Sequence, residues 1–305
     1  MPDSTPTDEI PRDDRGPRVD GGVVLPPDEE AVPDTSVDIS LAALAELPKG
    51  KLLEVDDVTL RFGGVTALDG VSFHINTGEI LGLIGPNGAG KTTCFNVMTG
   101  VYQPTSGGVR FMGDPLGKRH KFQITKLGIA RTFQNIRLFH NMTALENVLV
   151  GADAHHSTGM GSALLRLPKH RAEEAEGMAR AYELLKFMGL EKRADELARN
   201  LPYGDQRRLE IARALATNPK LLCLDEPAAG FNPAEKARLM ELIQSIRDQG
   251  YTVLLIEHDM KLVMGVTDRI VVLEFGKKIA EGLPAEIQDN PAVIAAYLGV
   301  DEDAS

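Results

Sequence analysis

Eight consecutive residues restrict this chain more than any other stretch: Gly85-Pro-Asn-Gly-Ala-Gly-Lys91-Thr92 fits the pattern GxxxxGK[ST]. They follow Ile80–Ile84, a run apolar enough to be a strand buried on both faces, and precede a helical pattern over Thr92–Thr99. Between a strand and a helix, such glycines let backbone N–H groups face a phosphate chain, and the helix adds the positive end of its dipole. Lys91 then reaches the β- and γ-phosphates, and the Thr92 hydroxyl is placed to ligate Mg²⁺. The nucleotide cradle predicted here comprises Gly85, Pro86, Asn87, Gly88, Ala89, Gly90, Lys91, Thr92 and Thr93. A chance match arises in roughly one chain of this length in a hundred. The flanking strand and helix make it rarer still.

A second cluster lies downstream. Leu221-Leu-Cys-Leu-Asp225-Glu226 is an apolar strand ending in two acids, and ligands of open parallel sheets gather at strand ends. In that place Asp225 serves Mg²⁺ and Glu226 polarises a water beside the phosphates. Acids after a strand are also ordinary helix caps, but the phosphate loop upstream favours the chemical reading. The NKxD tetrapeptide of guanine-specific proteins is absent, since no Asn in the chain is followed by Lys.

Around these motifs, short apolar runs alternate with helical patterns. Leu53–Phe62, Val65–Ile75, Val109–Met112, Leu221–Leu224, Thr252–Ile256 and Ile270–Leu273 read as strands. Asp205–Thr217 and Pro233–Asp248 read as helices, and the alternation predicts a mostly parallel α/β sheet. Asn135–Leu201 contains no strand signal. Thr143 with Glu146 has capping-box spacing, and Arg171–Met188 is helix-forming, so a helical insertion is expected there. His155, His156 and His170 lack the cysteines or spaced carboxylates of a metal site, and the stretch His155–Lys169 reads as a loop.

Composition bounds the remainder. The 305 residues, 43% hydrophobic, suffice for one large core. Residues 1–50 hold twelve acids and four bases, and so carry −8 of the total charge of −11. They also hold eight of the eighteen prolines and no aromatic residue, which predicts a disordered acidic tail. No cluster of Lys and Arg suggests a nucleic-acid partner. The acidic start is unlike a secretory signal, and no run reaches the roughly 20 apolar residues of a membrane span. A soluble protein that meets a membrane only through partners is expected. Cys94 and Cys223 sit in apolar contexts without CxxC spacing, as core residues in a reducing compartment do.

In order and spacing these features resemble the ABC ATPase family over about 250 residues. Phe62, before Gly63-Gly64, is similar to the aromatic that stacks on adenine. Gln134, in Arg131-Thr-Phe-Gln134-Asn135, resembles the glutamine that senses the γ-phosphate, contributes to the Mg²⁺ site and faces the transmembrane partner. Leu201-Pro-Tyr-Gly-Asp-Gln-Arg-Arg208, followed by Ile211-Ala-Arg-Ala-Leu215, resembles the signature motif and its helix, which makes Tyr203, Gly204 and Asp205 nucleotide contacts. His258, two residues after Ile256, resembles the switch histidine.

The resemblance implies a RecA-like P-loop core over residues 51–305, with an antiparallel β subdomain at its start and a helical subdomain at about 136–202. It implies ATP and Mg²⁺ as cofactors and Glu226, His258, Gln134 and Lys91 as catalytic residues. A second ATPase subunit, permease subunits and, through them, a solute-binding protein are the implied partners at the inner face of the cell membrane. Gly128-Ile-Ala-Arg-Thr-Phe-Gln-Asn-Ile-Arg-Leu-Phe139, Asp225-Glu-Pro-Ala-Ala-Gly-Phe-Asn-Pro233, Ile256-Glu-His-Asp-Met-Lys-Leu-Val-Met264 and Ala296-Tyr-Leu-Gly299 resemble the ATPase subunits of branched-chain amino-acid importers. The alternative is a cytosolic ABC ATPase without a transporter. Such proteins in translation usually hold two ATPase domains and those in repair a long coiled coil, whereas this chain has one phosphate loop and 134 positions from Lys91 to Asp225. Two departures stand out. Pro202 occupies the position of the signature serine, and Asn232 that of an aspartate common in the family.

Overall fold

The computed structural model describes residues 32–47, 49–152 and 168–298. Strands β1 (Lys51–Phe62) and β2 (Val65–Asn76) pair antiparallel around the Gly63-Gly64 turn, the first with an alternating burial pattern along part of its length. With β4 (Ser106–Phe111) and β5 (Asp114–Pro115) they form a four-stranded sheet in the order β2-β1-β4-β5.

A second, six-stranded sheet has the order β10-β9-β3-β8-β7-β6. Its parallel members are β3 (Ile80–Ile84), β6 (Ile129–Arg131), β7 (Leu221–Asp225), β8 (Thr252–Ile256) and β9 (Arg269–Glu274), and β10 (Lys277–Gly282) is an antiparallel edge. Every residue of β3, β7 and β8 is buried, as in a sheet covered by helices on both faces. The mostly parallel α/β arrangement predicted from the alternation is present. Strand β6 escaped the sequence reading because three residues carry no periodicity.

Helix α2 (Lys91–Met98) leaves β3, and α3 (Lys121–Leu127) precedes β6. Between β6 and β7 the described chain contains α4 (Ala144–Ala152), α5 (Pro168–Phe187) and α6 (Tyr203–Ala216), with no strand beyond an isolated Thr143–Leu197 bridge. The predicted capping box starts α4: Thr143 N–H donates to Glu146 Oε2 at 2.8 Å, and Glu146 N–H donates to Thr143 Oγ1 at 3.1 Å. Helices α4 and α6 meet at Gly151, where a Cβ would lie 2.3 Å from the Arg213 carbonyl oxygen, so no other residue fits. Helices α7 (Pro233–Asp248) and α8 (Met260–Val266) flank β8. The short α9 (Pro284–Gln288) and α10 (Pro291–Leu298) cover a separate apolar cluster that includes Ile84, Ile270 and Val272.

The expectation of a tail through residue 50 is corrected for the described part. Residues 33–47, with the single helical turn α1 (Ala42–Ala45), lie against the core. Ile39 is fully buried, and Leu44 and Leu47 are nearly so. Arg180 of α5 and the Tyr251 hydroxyl both donate to the Ile39 carbonyl, at 2.7 and 2.9 Å. Gln249 Oε1 accepts from the N–H groups of Ile39 and Ser40 at 3.0 and 3.1 Å. The segment therefore ties α5 to the start of β8. Composition averaged over fifty residues hid it, because its apolar side chains are few and spaced. Residues 1–31, the pair His155 and His156, the side chain of His170, and Gly299 lie outside the described residues.

Candidate active site

The phosphate loop sits where β3 passes into α2. Gly85 adopts φ 149°, and a Cβ there would stand 2.0 Å from the Leu273 carbonyl oxygen, so the loop can lie flush against β9 only with glycine. A Cβ on Gly90 would be 3.0 Å from the Ala67 carbonyl oxygen, and Gly276 N–H donates to Ala89 O at 3.0 Å. The first approach seats the β1–β2 hairpin, which carries Phe62, against the loop, and the hydrogen bond ties the β9–β10 turn to it. The Phe62 ring is exposed and meets the ring of Tyr102, a residue the sequence reading did not single out, edge-on at 5.2 Å.

Helix α2 starts behind Gly90 with no side-chain cap, leaving its first N–H groups for an acceptor inside the loop. Lys91 is only 8% exposed and donates to Gly85 O at 2.6 Å and Pro86 O at 2.9 Å. Burial draws its pKa down, and the nearby Glu226 carboxylate partly restores it. Thr92 points outward beside it, with Thr93 half-buried. Cys94 and Cys223 are buried, and burial pushes both thiols up to about 12, so neither is a nucleophile.

Strand β7 delivers the carboxylates. Asp225 is buried, which raises its pKa, while Arg131 at 3.8 Å opposes the rise. Glu226 then takes φ 46°, an uncommon conformation for a residue with a side chain, and its N–H is held by Ile256 O at 2.9 Å. The turn brings three predicted residues together. Gln134 Nε2 donates to Glu226 Oε2 at 2.9 Å, and His258 Nδ1 lies 3.8 Å from the same oxygen. Two spans of chain far apart in sequence thus converge on one carboxylate.

Two supports were not legible in the sequence. Arg131 lies between the Phe95 and Phe133 rings, 4.4 and 4.6 Å from their centroids, and donates to Asn96 Oδ1 and Thr99 Oγ1 at 3.0 and 3.1 Å. Glu257, 1% exposed, accepts from Ala228 N–H at 2.9 Å and His258 N–H at 3.1 Å, joining the turn after Glu226 to the turn that bears His258. The sequence displayed both residues beside motif positions, but only the fold shows what they hold.

At the signature, α6 begins after Pro202 without a side-chain cap, with Pro202 and Tyr203 exposed. Tyr203 stands edge-on to Phe231 at 6.2 Å, and Gly204 is half-buried. The Asp205 side chain is turned inward. Its carboxylate is 4% exposed and is held by Arg208 and by Arg193 Nε at 3.3 Å. Two cations claim it, so the side chain anchors the first turn of α6.

Among the described residues no group of three or more His, Cys, Asp or Glu is arranged to hold a metal ion, and no helix is long and apolar enough to cross a membrane. A groove of about 850 Å³ opens beside the Gln134 segment, bordered by Phe133, Ile136, Arg137, Phe139, Val150 and Arg213.

The family model described as ABC transporter matches residues 68–229, and one described as branched-chain amino acid ATP-binding cassette transporter matches residues 277–303. The high-affinity branched-chain amino acid transport ATP-binding protein LivG of Salmonella typhimurium is 50% identical over 249 residues, covering 81% of this chain and 98% of LivG. BraF of Pseudomonas aeruginosa, which has the same description, is 49% identical over 249 residues, with the same shares of the two chains. The crystal structure of the ADP conformation of an ATP-binding cassette of an ABC transporter superposes with a TM-score of 0.72 at 33% identity, covering 82% of this chain and 99% of that one. With its phosphate loop, its paired carboxylates and the glutamine and histidine that meet at Glu226, the chain belongs to the ABC transporter family as one of its ATP-binding cassettes.

Proposed function

We propose that this chain hydrolyses ATP to drive an importer of branched-chain amino acids or a similar small polar solute. The observation that carries the chemistry is the Glu226 carboxylate, held at 2.9 Å by Gln134 at the mouth of the phosphate loop. The identity of about half with LivG and BraF over nearly their full length supports the transport role. The phosphates seat on the loop N–H groups and the Lys91 ammonium, and the adenine on the Phe62 and Tyr102 rings.

Mg²⁺ suits this site, where the buried Asp225 ends β7, because it is usually held by one or two carboxylates together with phosphate oxygens. Thr92, Asp225 and the side-chain oxygen Oε1 of Gln134 would hold it, and when bound it would neutralise charge on the phosphate oxygens. Glu226 accepts the proton of the attacking water at Oε2. Gln134, donating to that same oxygen, keeps it aimed. His258 and Lys91 place positive or donor groups where charge develops on the transferred phosphoryl group.

The uncapped start of α6 faces outward, which suits a second ATPase subunit whose bound nucleotide it would close. The groove beside Gln134 suits a permease segment, so that hydrolysis and transport share one loop, with the subunit lying on the inner face of the membrane. The test is purification from membranes followed by ATPase assays with the permeases in vesicles. Copurifying permeases, and turnover stimulated by a leucine-loaded binding protein, are the expected result. A subunit that leaves membranes alone, with turnover indifferent to permease and solute, would reject transport.

A further inference from the structure

Arg207 is the largest fully buried side chain among the described residues. From α6 its Nη1 donates to Phe133 O and its Nη2 to Gln134 O, both at 2.8 Å. Nη2 also donates to the Tyr203 hydroxyl at 3.2 Å, and Nη1 pairs with Glu210 Oε2 at 3.1 Å. Glu210, 1% exposed, accepts from Arg137 N–H through its other oxygen at 3.1 Å. One turn of α6 therefore grips three backbone groups of the segment from Phe133 to Arg137. Gln134, inside that segment, reaches Glu226 at 2.9 Å.

Burying two charges is expensive, and a core that needed only to be filled would take apolar side chains at less cost. A planar guanidinium offers something apolar groups cannot, N–H donors in a rigid fork, and here two of them end on consecutive carbonyls. Burial pushes the Glu210 carboxyl up, while Arg137 N–H and Arg207 pull it back.

We infer that Arg207 and Glu210 are positioning residues for hydrolysis, which clamp the Phe133–Arg137 backbone to α6 and so hold Gln134 on Glu226. The inference rests on the role of Gln134 given above. Because Arg207 also bonds Tyr203, the clamp joins the exposed start of α6 to the catalytic carboxylate of the same chain.

The test uses Arg207→Met combined with Glu210→Leu, which removes both charges and leaves neither unpaired. In the assembled complex, ATP affinity is expected to stay within about threefold, with kcat lower by on the order of tenfold to a hundredfold and KM little changed. Adding Gln134→Ala should then cost almost nothing further, since the pair acts through Gln134. Losses that multiply, or a lower melting temperature with normal kcat, would overturn the clamp. If Gln134→Ala alone leaves turnover intact, the role of Gln134 fails first and the inference with it. Should the double variant not fold, Arg207→Lys decides: it keeps the charge beside Glu210 but lacks the fork, so kcat should fall at unchanged ATP affinity, and full activity would refute the assignment.

Discussion

Two helices begin with uncapped first turns, α2 behind Gly90 and α6 behind Pro202. Their neighbours are capped from within the chain. Asn232 Oδ1 accepts from Ala234 and Glu235 N–H at 2.9 and 3.0 Å at the start of α7, and Asp259 Oδ1 accepts from Lys261 and Leu262 N–H at 3.0 and 3.2 Å at the start of α8. A capped helix has its N–H groups satisfied, whereas an uncapped one presents them to an anion. The two open ends differ in setting. The α2 end is enclosed by glycines and by buried Lys91, while Pro202 and Tyr203 leave the α6 end at the surface. The first is walled by this chain's own residues, and the second, in our proposal, closes over the nucleotide of another subunit.

Glu226→Gln breaks the inner end alone and has the largest expected effect. Turnover should fall by on the order of 10²–10⁴-fold, because an amide cannot take the proton of the attacking water, while ATP binding stays within a few-fold. Phosphate release with the permeases present checks this, and near-parental turnover would end the assignment.

Next is deletion of residues 1–47, which loosens α5, in the helical insertion that also carries α6, from the core that carries α2. It uncovers the sites of Ile39, Leu44 and Leu47 and removes the acceptor of Arg180 and Tyr251. A drop in melting temperature of about 5 °C or more is expected. Calorimetry on the truncated chain measures it, and an unchanged value would mean the segment does not dock.

Pro202→Ser adds a hydroxyl to the outer end, and a hydrogen bond to a charged group contributes on the order of 1.5–3 kcal/mol. With each ATP site of the complex silenced in turn, the partner's site should speed up several-fold and this chain's own site should not. A change confined to this chain's site would reverse the assignment of the two ends.

The smallest effect should come from Asn232→Ala. Loss of the cap costs about 1 kcal/mol of stability and leaves ATP affinity alone. Denaturant unfolding alongside nucleotide titration separates the two, and a fall in affinity would show that α7 also serves the nucleotide.

How much could be read in advance follows from the range of the interactions. The phosphate loop, the strand ending in Asp225 and Glu226, and the Thr143–Glu146 box are made by residues a few positions apart, so their sequence already contains their geometry. The resemblance placed Gln134 and His258 in the site, and the fold brought them to one oxygen of Glu226. The tertiary structure alone decided the rest. The resemblance reads Asp205 as a nucleotide contact, and only the fold shows Arg193 and Arg208 taking its carboxylate. Ile39 reads as part of an acidic tail until Gln249, 210 positions away, receives its N–H. Arg207 reads as one more cation on an amphipathic helix until carbonyls 74 and 73 positions away close around it. Such partners meet only after the sheet has ordered and water has left, so no local pattern encodes them.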